Sequence, residues 1–380
     1  MYRYDVAVVG GGPAGLLTAL LCADRGARVI IVERGNRLCN TEGEAARLVH
    51  DPARKIVIAL DPELGDVLTR YSKHISSVSL YRNDCLLRKL DSGASVPTPF
   101  YSFDSTRYCR ALVHAVLRSR SVESMLRTEV IAISPADGLL RIRGARYDQI
   151  TAGYVVVADG AASRLRSALS VPFRVKRYHE AFLVSNSFTS SGQSECEIYA
   201  HRNGTAVFLP VGDNLAQWFV QIDDRIGIPE RKVSARYAKR LGSETDTLDQ
   251  EVRVRTGRLG KNDTLDSVDL VRVQSARADS MKVGRAFIVG DAAYRIPAMS
   301  SVDFDHLCFD ISLVVHSITT GECVDEKRQT LLADSLGNGS RISRRVIGKG
   351  WQGLYRAVRF GRLACLVPSS TRYKYREEKY

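Results

Sequence analysis

The stretch VVGGGPAGLLTALLCADRG, residues 8–26, changes within a few positions from glycine-rich to apolar. Residues 4–9 before the glycines are a short apolar run, which is typical of a buried parallel strand. Residues 16–24 after them have the composition of a helix, and Gly26 is placed to end it. The order of strand, glycine turn and helix predicts the beginning of a βαβ unit.

The glycine turn fits the pattern G-x-G-x-x-G at Gly10, Gly12 and Gly15. The first glycine permits the tight turn, the second lets a pyrophosphate approach the backbone, and the third packs the helix on the strand. The helix N-terminus adds N–H donors and a partial positive charge. Residues 29–32 then predict a second strand, closed by Glu33, an acid placed to bind a ribose diol. Together these features predict NAD or FAD as the ligand.

Two later stretches repeat one arrangement, in which an apolar strand ends at an acid beside a glycine. Residues 154–158 end at Asp159, and residues 286–289 end before Asp291. Open α/β sheets bind their ligands at the carboxyl ends of the strands. We therefore expect three strand ends to converge on one extended ligand.

In this order the three motifs resemble those of the FAD-dependent monooxygenases of the para-hydroxybenzoate hydroxylase type, which include the ubiquinone-pathway hydroxylases. The resemblance covers roughly residues 1–325. It implies an α/β fold with a Rossmann-like FAD-binding domain on a parallel sheet and an antiparallel β-sheet substrate domain, to which the sequence of the tail adds a C-terminal helical segment. The matching residues are Gly10, Gly12, Gly15 and Glu33, then Asp159, Gly160, Ser163 and Arg166, then Gly290, Asp291, Ala292, Ala293 and Pro297.

The resemblance implies FAD as cofactor and NAD(P)H as co-substrate. It implies that Asp291 binds the ribityl chain, that Asp159 lies near the pyrophosphate, and that Pro297 lies beside the isoalloxazine. Pro297 and Arg47 are the candidate catalytic residues, and a solvated side chain is the alternative for Arg107. The predicted FAD contacts are Gly10, Gly12, Pro13, Ala14, Gly15, Glu33, Arg34, Arg107, Asp159, Gly160, Gly290, Asp291 and Pro297.

The loop after the third motif departs from the family. Tyr294 replaces a usual histidine, Ser300 and Asp303 replace usual glycines, and Asp305 replaces a common asparagine. The resemblance implies that a helix N-terminus here stabilises the negative charge of the reduced flavin. Two aspartates oppose that charge unless they face away or are paired. Because of this loop, the resemblance supports FAD binding more strongly than it supports monooxygenation.

The motifs divide the chain into interleaved domains. An FAD-binding domain is predicted from residues 1–75, 101–178 and 280–325, a substrate domain from the hairpin 76–100 and the sheet 179–279, and a basic helical segment from 326–380. Short strand candidates separated by turn signals predict the antiparallel sheet. None of the seven histidines lies in a metal or triad pattern. His50, His179 and His306 are candidate bases, although a structural role is the favoured interpretation of each.

Composition limits the remaining classes of function. The 380 residues are 44% hydrophobic, and eight scattered cysteines show no C-x-x-C pair, which favours reduced thiols and predicts no metal. The sequence shows no membrane-spanning run, no signal peptide and no nucleic-acid motif. We therefore expect a cytoplasmic protein. Residues 341–380 carry eleven Lys or Arg against two Glu, which is +9 of the net +13. Residues 341–366 predict a peripheral membrane contact, or a cap on the FAD domain.

The leading hypothesis is a hydroxylase that uses NAD(P)H and O2 on an aromatic or polyketide-like small molecule. One alternative is a flavin-dependent halogenase, served by a separate flavin reductase, or a geranylgeranyl-reductase-like enzyme of the same fold. The other is an FAD-binding protein with redox-neutral or lost activity, because of the loop from Ser300 to Asp305.

Overall fold

The computed structural model describes residues 2–39, 46–82, 85–92, 99–136, 139–144, 150–188, 192–201, 204–212, 214–223, 269–296 and 303–321. The helices are α1 (Pro13–Asp24), α2 (Asp51–Ile58), α3 (Pro62–Thr69), α4 (Ser105–Arg118), α5 (Arg164–Ala168) and α6 (Asp303–Thr320). The strands are β1 (Tyr2–Val9), β2 (Val29–Val32), β3 (Arg47–His50), β4 (Lys73–His74), β5 (Ser77–Arg82), β6 (Cys85–Asp91), β7 (Phe100–Phe103), β8 (Val122–Met125), β9 (Val130–Ala136), β10 (Leu139–Gly144), β11 (Ile150–Val157), β12 (Phe173–Phe188), β13 (Glu195–His201), β14 (Gly204–Pro210), β15 (Leu215–Asp223), β16 (Asp269–Ala278), β17 (Lys282–Val283), β18 (Ala286–Ile288) and β19 (Tyr294–Arg295).

The predicted parallel sheet is confirmed, with the strand order β17-β18-β11-β1-β2-β8. The pairs β18–β11, β11–β1, β1–β2 and β2–β8 are parallel. Val9 pairs with Val157, which in turn pairs with Ile288, so the carboxyl ends of β1, β11 and β18 lie side by side. This register places the three sequence motifs next to one another.

Both faces of the parallel sheet are covered, which explains why its strands read as continuous apolar runs. Val6 and Val8 of β1 belong to one buried cluster, and Ala7 and Val9 belong to another on the opposite face. Helix α1 covers the first face and contacts α4 and α6. All of its residues from Gly15 to Cys22 are buried, so each leucine there contributes about 1.5–3 kcal/mol of burial free energy.

The second large sheet has the order β19-β16-β12-β15-β14-β13-β5-β6 and is antiparallel except for the pair β13–β5. It confirms the predicted antiparallel sheet. One face carries the cluster that includes Phe182, Ile198 and Leu209, and the other carries the cluster that includes Phe208 and Trp218. A third, small sheet of β3, β7 and β4 positions Arg47 and His50 at the start of α2.

Several predicted segments lie outside the described residues. These include the basic segment 326–380 with its proposed membrane contact at 341–366, and Pro297. Within the described ranges, none of the helices combines the length and the apolar character needed to span a bilayer. The same ranges contain no group of His, Cys, Asp or Glu arranged to hold a metal ion.

Candidate functional site

A cavity of about 440 Å³ lies where the three motifs meet the antiparallel sheet. Its motif side is lined by Gly12, Pro13, Ala14, Ala158, Gly160, Gly290 and Asp291. Its opposite wall is apolar and is formed by Val78, Phe182, Ile198, Val207, Leu209 and Phe219. The first set lies at the carboxyl ends of β1, β11 and β18, where open α/β sheets bind ligands.

The glycines of the turn differ in what surrounds them. Gly10 has φ +113°, and a Cβ there would lie 2.3 Å from the Ala158 carbonyl oxygen. A Cβ on Gly15 would lie 2.0 Å from the Gly10 carbonyl oxygen. A Cβ on Gly12, by contrast, would meet nothing within 4 Å, and Gly12 lines the cavity. Gly10 and Gly15 are therefore required by the fold itself, and Gly12 keeps the backbone open towards a ligand.

Glu33 holds the glycine turn in place. Its Oε2 accepts a hydrogen bond of 2.6 Å from the Gly11 N–H, and its Oε1 accepts one of 2.6 Å from the Gly35 N–H. Hydrogen bonds to a carboxylate are stronger than those between neutral groups. Each oxygen keeps a further lone pair, so binding of a ribose diol by Glu33 stays a prediction.

The second motif is connected to the third through Arg166. Ser163 caps α5 by accepting a hydrogen bond from the Arg166 N–H at 3.0 Å. The Arg166 guanidinium lies 3.6 Å from the centre of the Phe173 ring and donates to the Ala292 carbonyl oxygen. Burial lowers the pKa of Arg166, and the nearby Asp159 opposes that change. Asp159 Oδ1 is itself buried and has no hydrogen-bond partner among the described residues.

The third motif approaches the first at van der Waals distance. Gly290 has φ +60°, and a Cβ there would lie 2.8 Å from the Ala14 Cβ. The Asp291 side chain is 55% exposed and pairs with Arg295 Nε at 3.1 Å. Strand β19 directly after this turn pairs with β16, so the turn is also attached to the antiparallel sheet.

Comparison with known proteins agrees with this arrangement. A family model described as FAD binding domain matches residues 127–302, and one described as FAD dependent oxidoreductase matches residues 5–75. The para-nitrophenol 4-monooxygenase of Pseudomonas sp. (strain WBC-3) is 23% identical, over 84% of this chain and 81% of its own length. The protoasukamycin 4-monooxygenase of Streptomyces nodosus subsp. asukaensis is 22% identical, over 76% and 73%.

The chain is therefore similar to aromatic-hydroxylase-like FAD-dependent monooxygenases. The crystal structure of p-nitrophenol 4-monooxygenase from Pseudomonas putida DLL-E4 has the same fold, with a TM-score of 0.69 at 18% identity. That similarity covers 98% of this chain and 92% of the other.

The residues of this FAD-dependent oxidoreductase fit FAD. The N-terminus of α1 and the open backbone at Gly12 both face the cavity, which suits a pyrophosphate. Gly160 has φ +83°, and a Cβ there would meet nothing within 4 Å, so this second loop also leaves its backbone accessible. The cavity thus offers exposed backbone on two strand ends and the carboxylate of Asp291 on a third.

Six predicted FAD contacts within the described ranges are not among the residues that line this cavity: Gly10, Gly15, Glu33, Arg34, Arg107 and Asp159. Arg34 is exposed. Arg107 packs over the Tyr71 ring at 4.3 Å and lines a separate cavity of about 270 Å³. Ser105 and Tyr108 of the same helix line the main cavity. Ser105 and Tyr108 are three residues apart and therefore share a helix face. Arg107 lies about 200° around the helix from Ser105. Its placement therefore fits the alternative of a solvated side chain.

Both unexpected aspartates after the third motif are paired. Arg47 Nη1 lies 2.5 Å from Asp303 Oδ2, and His50 Nδ1 lies 2.5 Å from Asp305 Oδ2. Both acids are in the first turn of α6, where negative charge stabilises the helix dipole. Pairing is one of the two arrangements in which these acids would not oppose the charge of a reduced flavin.

The sequence motifs do not reveal these two pairs. Sequence analysis makes Arg47 a candidate catalytic residue without naming a partner, and it favours a structural role for His50. Arg47 and His50 are three residues apart on β3, and Asp303 and Asp305 are two apart on α6. The two spacings differ, so no common pattern in the two segments signals these pairs.

Proposed function

We propose that this protein is a single-component hydroxylase that uses NAD(P)H and O2 to hydroxylate an aromatic or polyketide-like small molecule. The observation that carries the proposal is the cavity itself, because one space is bounded by the FAD-binding strand ends and by the apolar face of the antiparallel sheet. A substrate on that face lies next to the cofactor. FAD, when bound, supplies the reduction and oxygen chemistry.

The chain's own contribution is to position the substrate and to exclude water. Phe182, Ile198 and Leu209 are buried and present an apolar surface, which suits an aromatic ring. Tyr108 also lines the cavity, and burial raises its pKa well above the ordinary value, so it stays a neutral hydroxyl. A dry, shaped pocket protects reactive species from hydrolysis and strengthens the polar contacts inside it.

The names of the relatives support an aromatic substrate. One is a para-nitrophenol 4-monooxygenase, and the other is a protoasukamycin 4-monooxygenase. Both names specify oxygenation of an organic molecule at a position numbered four. We therefore place phenols first among the substrates to test.

The alternative of an FAD-binding protein with redox-neutral or lost activity is weakened, because Asp303 and Asp305 are both paired. It depended on two uncompensated negative charges beside the reduced flavin. Arg47 and Asp303 form an ion pair without net charge, and the Asp305 carboxylate lies within hydrogen-bond distance of His50 Nδ1. Pairing of both acids is compatible with flavin reduction.

The test is anaerobic reduction of the purified protein by NADH or NADPH, followed through the visible absorbance of the flavin, with and without a panel of phenols. We expect bleaching that a substrate accelerates, and on admission of O2 a hydroxylated product. The Gly12→Ala variant at matched protein concentration serves as the control with impaired cofactor binding.

Other outcomes would redirect the proposal. A bound flavin that neither coenzyme reduces would contradict a single-component hydroxylase. Turnover restored by an added flavin reductase, with halide dependence, would favour a halogenase. A saturated product without O2 uptake would favour a double-bond reductase. A flavin that stays oxidised under all these conditions would favour redox-neutral activity.

A further inference from the structure

The separate cavity of about 270 Å³, here named the side cavity, lies next to the main cavity on the same face of the antiparallel sheet. On three neighbouring segments, a residue that lines the main cavity lies two positions from one that lines the side cavity. These pairs are Phe182 and Val184 on β12, Phe219 and Gln217 on β15, and Leu209 and Val211 at the end of β14. Residues two apart on a strand share a face and lie about 6.6 Å apart. The two cavities are therefore neighbours, about one side chain from each other.

Gln217 lies on the border between the two cavities. In the sheet it pairs with Leu209, which lines the main cavity, and with Asn186, which lines the side cavity. Side chains directly opposite each other on neighbouring antiparallel strands point to the same face, with their Cβ atoms about 4.5–5.5 Å apart. The Gln217 side chain therefore has the main cavity on one flank and the side cavity on the other.

The amide of Gln217 is held at both ends. Its Oε1 accepts a hydrogen bond of 2.6 Å from the backbone N–H of Ala46, and its Nε2 donates one of 2.8 Å to Asn186 Oδ1. A backbone N–H can only donate, so the oxygen of the amide has to face Ala46. Ala46 lines the main cavity, and Gln217 is 7% exposed. A fixed, buried amide thus forms part of the wall between the cavities.

Little room is left for a substrate on the main-cavity side of this wall. Cavities that bind drug-sized molecules measure about 300–1,000 Å³. The main cavity of about 440 Å³ has to hold part of FAD as well as the substrate. The side cavity offers further space, and Val184, Val211 and Leu215 give it apolar surface beside its charged residues. It could therefore accommodate an alkyl chain if the wall were removed.

We propose that Gln217 limits the length of the substrate, so that this protein takes single-ring phenols and excludes polyketide-sized molecules. This inference rests on the proposed function and narrows its substrate class. A phenol ring lies against the wall of Phe182 and Leu209, and a substituent that extends along the sheet meets the Gln217 amide. A longer substituent reaches the side cavity only by breaking the hydrogen bonds to Ala46 and Asn186, and both groups then lose a partner.

The test is a binding series that needs neither NAD(P)H nor turnover. Isothermal titration of the FAD-loaded, oxidised protein gives the dissociation constants of the 4-alkylphenols from 4-methylphenol to 4-heptylphenol. The wild type is compared with Gln217→Ala. Gln221→Ala is the matched control, because Gln221 is on the same strand, is 5% exposed and accepts a hydrogen bond from the Thr205 N–H at 3.0 Å. Gln221 is not among the lining residues of either cavity.

In the wild type we expect binding to tighten about fourfold with each methylene while the chain fits, as the burial of a CH2 group predicts. At one chain length binding should then weaken by at least about tenfold, where the chain meets Gln217. In Q217A this drop should disappear, and the ratio of the 4-heptylphenol to the 4-methylphenol dissociation constant should fall by at least about tenfold. Taking the ratio removes any general weakening of phenol binding. Q221A should keep the wild-type limit.

Four results would overturn the inference. They are a wild type that binds the whole series without a drop, a drop that persists in folded Q217A, a loss of the limit in Q221A as well, and no binding of any phenol. If Q217A does not fold, Gln217→Asn decides, because its amide is one methylene shorter and the limit should move by about one methylene.

Failure of the hydroxylase proposal would look different. A protein that binds short phenols with this limit, but whose flavin neither coenzyme reduces, contradicts a single-component hydroxylase and leaves the role of Gln217 standing. Hydroxylation of phenols without any length limit supports the hydroxylase proposal and contradicts the role of Gln217.

Discussion

Arg166 donates a hydrogen bond from Nη1 to the carbonyl oxygen of Ala292, 2.8 Å away, and so joins the second cofactor motif to the third. The two residues are far apart in sequence but lie behind adjacent strand ends. Arg166 is 6% exposed and also lies within hydrogen-bond distance of the Ala161 carbonyl oxygen. One buried guanidinium therefore sets the distance between two loops that line the cavity.

Replacing Arg166 by Met should lower the free energy of unfolding by about 2 kcal/mol, because the buried Ala292 carbonyl loses its donor. FAD affinity should fall as well, since the third motif loses its attachment. Urea unfolding and a flavin-binding titration measure the two effects. Arg164→Met is the matched control, because Arg164 is exposed on the same helix and its pair with Glu129 contributes little. Equal effects in both variants would refute the connecting role of Arg166.

The glycines of the first motif should separate folding from cofactor binding. Gly15→Ala forces a Cβ into the Gly10 carbonyl and should prevent stable folding. Gly12→Ala places its methyl in open space, so the free energy of unfolding without FAD should change by less than about 0.5 kcal/mol. The FAD dissociation constant of G12A should nevertheless rise at least tenfold, about 1.4 kcal/mol. Wild-type FAD affinity in G12A would show that the pyrophosphate does not approach this position.

Glu33→Gln should weaken FAD binding by about 10- to 150-fold, because a hydrogen bond to a charged group is worth about 1.5–3 kcal/mol. The NH2 group of the new amide would also face a backbone N–H, either that of Gly11 or that of Gly35, so that two donors oppose each other. Isothermal titration of the apoprotein with FAD provides the measurement. Glu123→Gln, at an exposed acid of β8, should bind FAD as the wild type does.

The Arg47–Asp303 pair should tune the flavin potential. Asp303→Asn leaves a positive charge at the cavity and should raise the midpoint potential, whereas Arg47→Met should lower it. A shift on the order of 30 mV corresponds to about 1.4 kcal/mol for a two-electron couple. The double variant should lie near the wild type, which controls for changes in packing. Equilibration with a reference dye under xanthine oxidase measures each potential. Shifts of the same sign in both single variants would contradict this electrostatic account.

Local sequence is sufficient to predict those parts of the site whose backbone conformation is set by neighbouring residues. The strand, glycine turn and helix around Gly10 follow from steric demands within a few residues, and Asp159 and Asp291 mark strand ends by their position after apolar runs. These elements converge because parallel strands align their carboxyl ends. The antiparallel sheet is also predictable from alternating short strands and turn signals.

Contacts between distant segments are not predictable in this way. The pairing of His50 with Asp305 joins positions 255 residues apart, and neither carries a local signature. Whether Arg107 lines the cavity is not predictable for a different reason. The direction of its side chain depends on how α4 is rotated about its own axis. Asp104 caps that helix by accepting a hydrogen bond from the Thr106 N–H at 2.8 Å. This cap helps to fix the rotation of the helix, in which Ser105 faces the cavity and Arg107 faces away from it.

The alignment of β1 with β11 and of β11 with β18 has a consequence for biosynthesis. The glycine turn leaves the ribosome first, and its neighbour at Ala158 becomes available only after β11 has been made. The Gly290 turn, which packs on Ala14, emerges later still. A site that uses all three strand ends can therefore form only after β18 and the Gly290 turn have been synthesised.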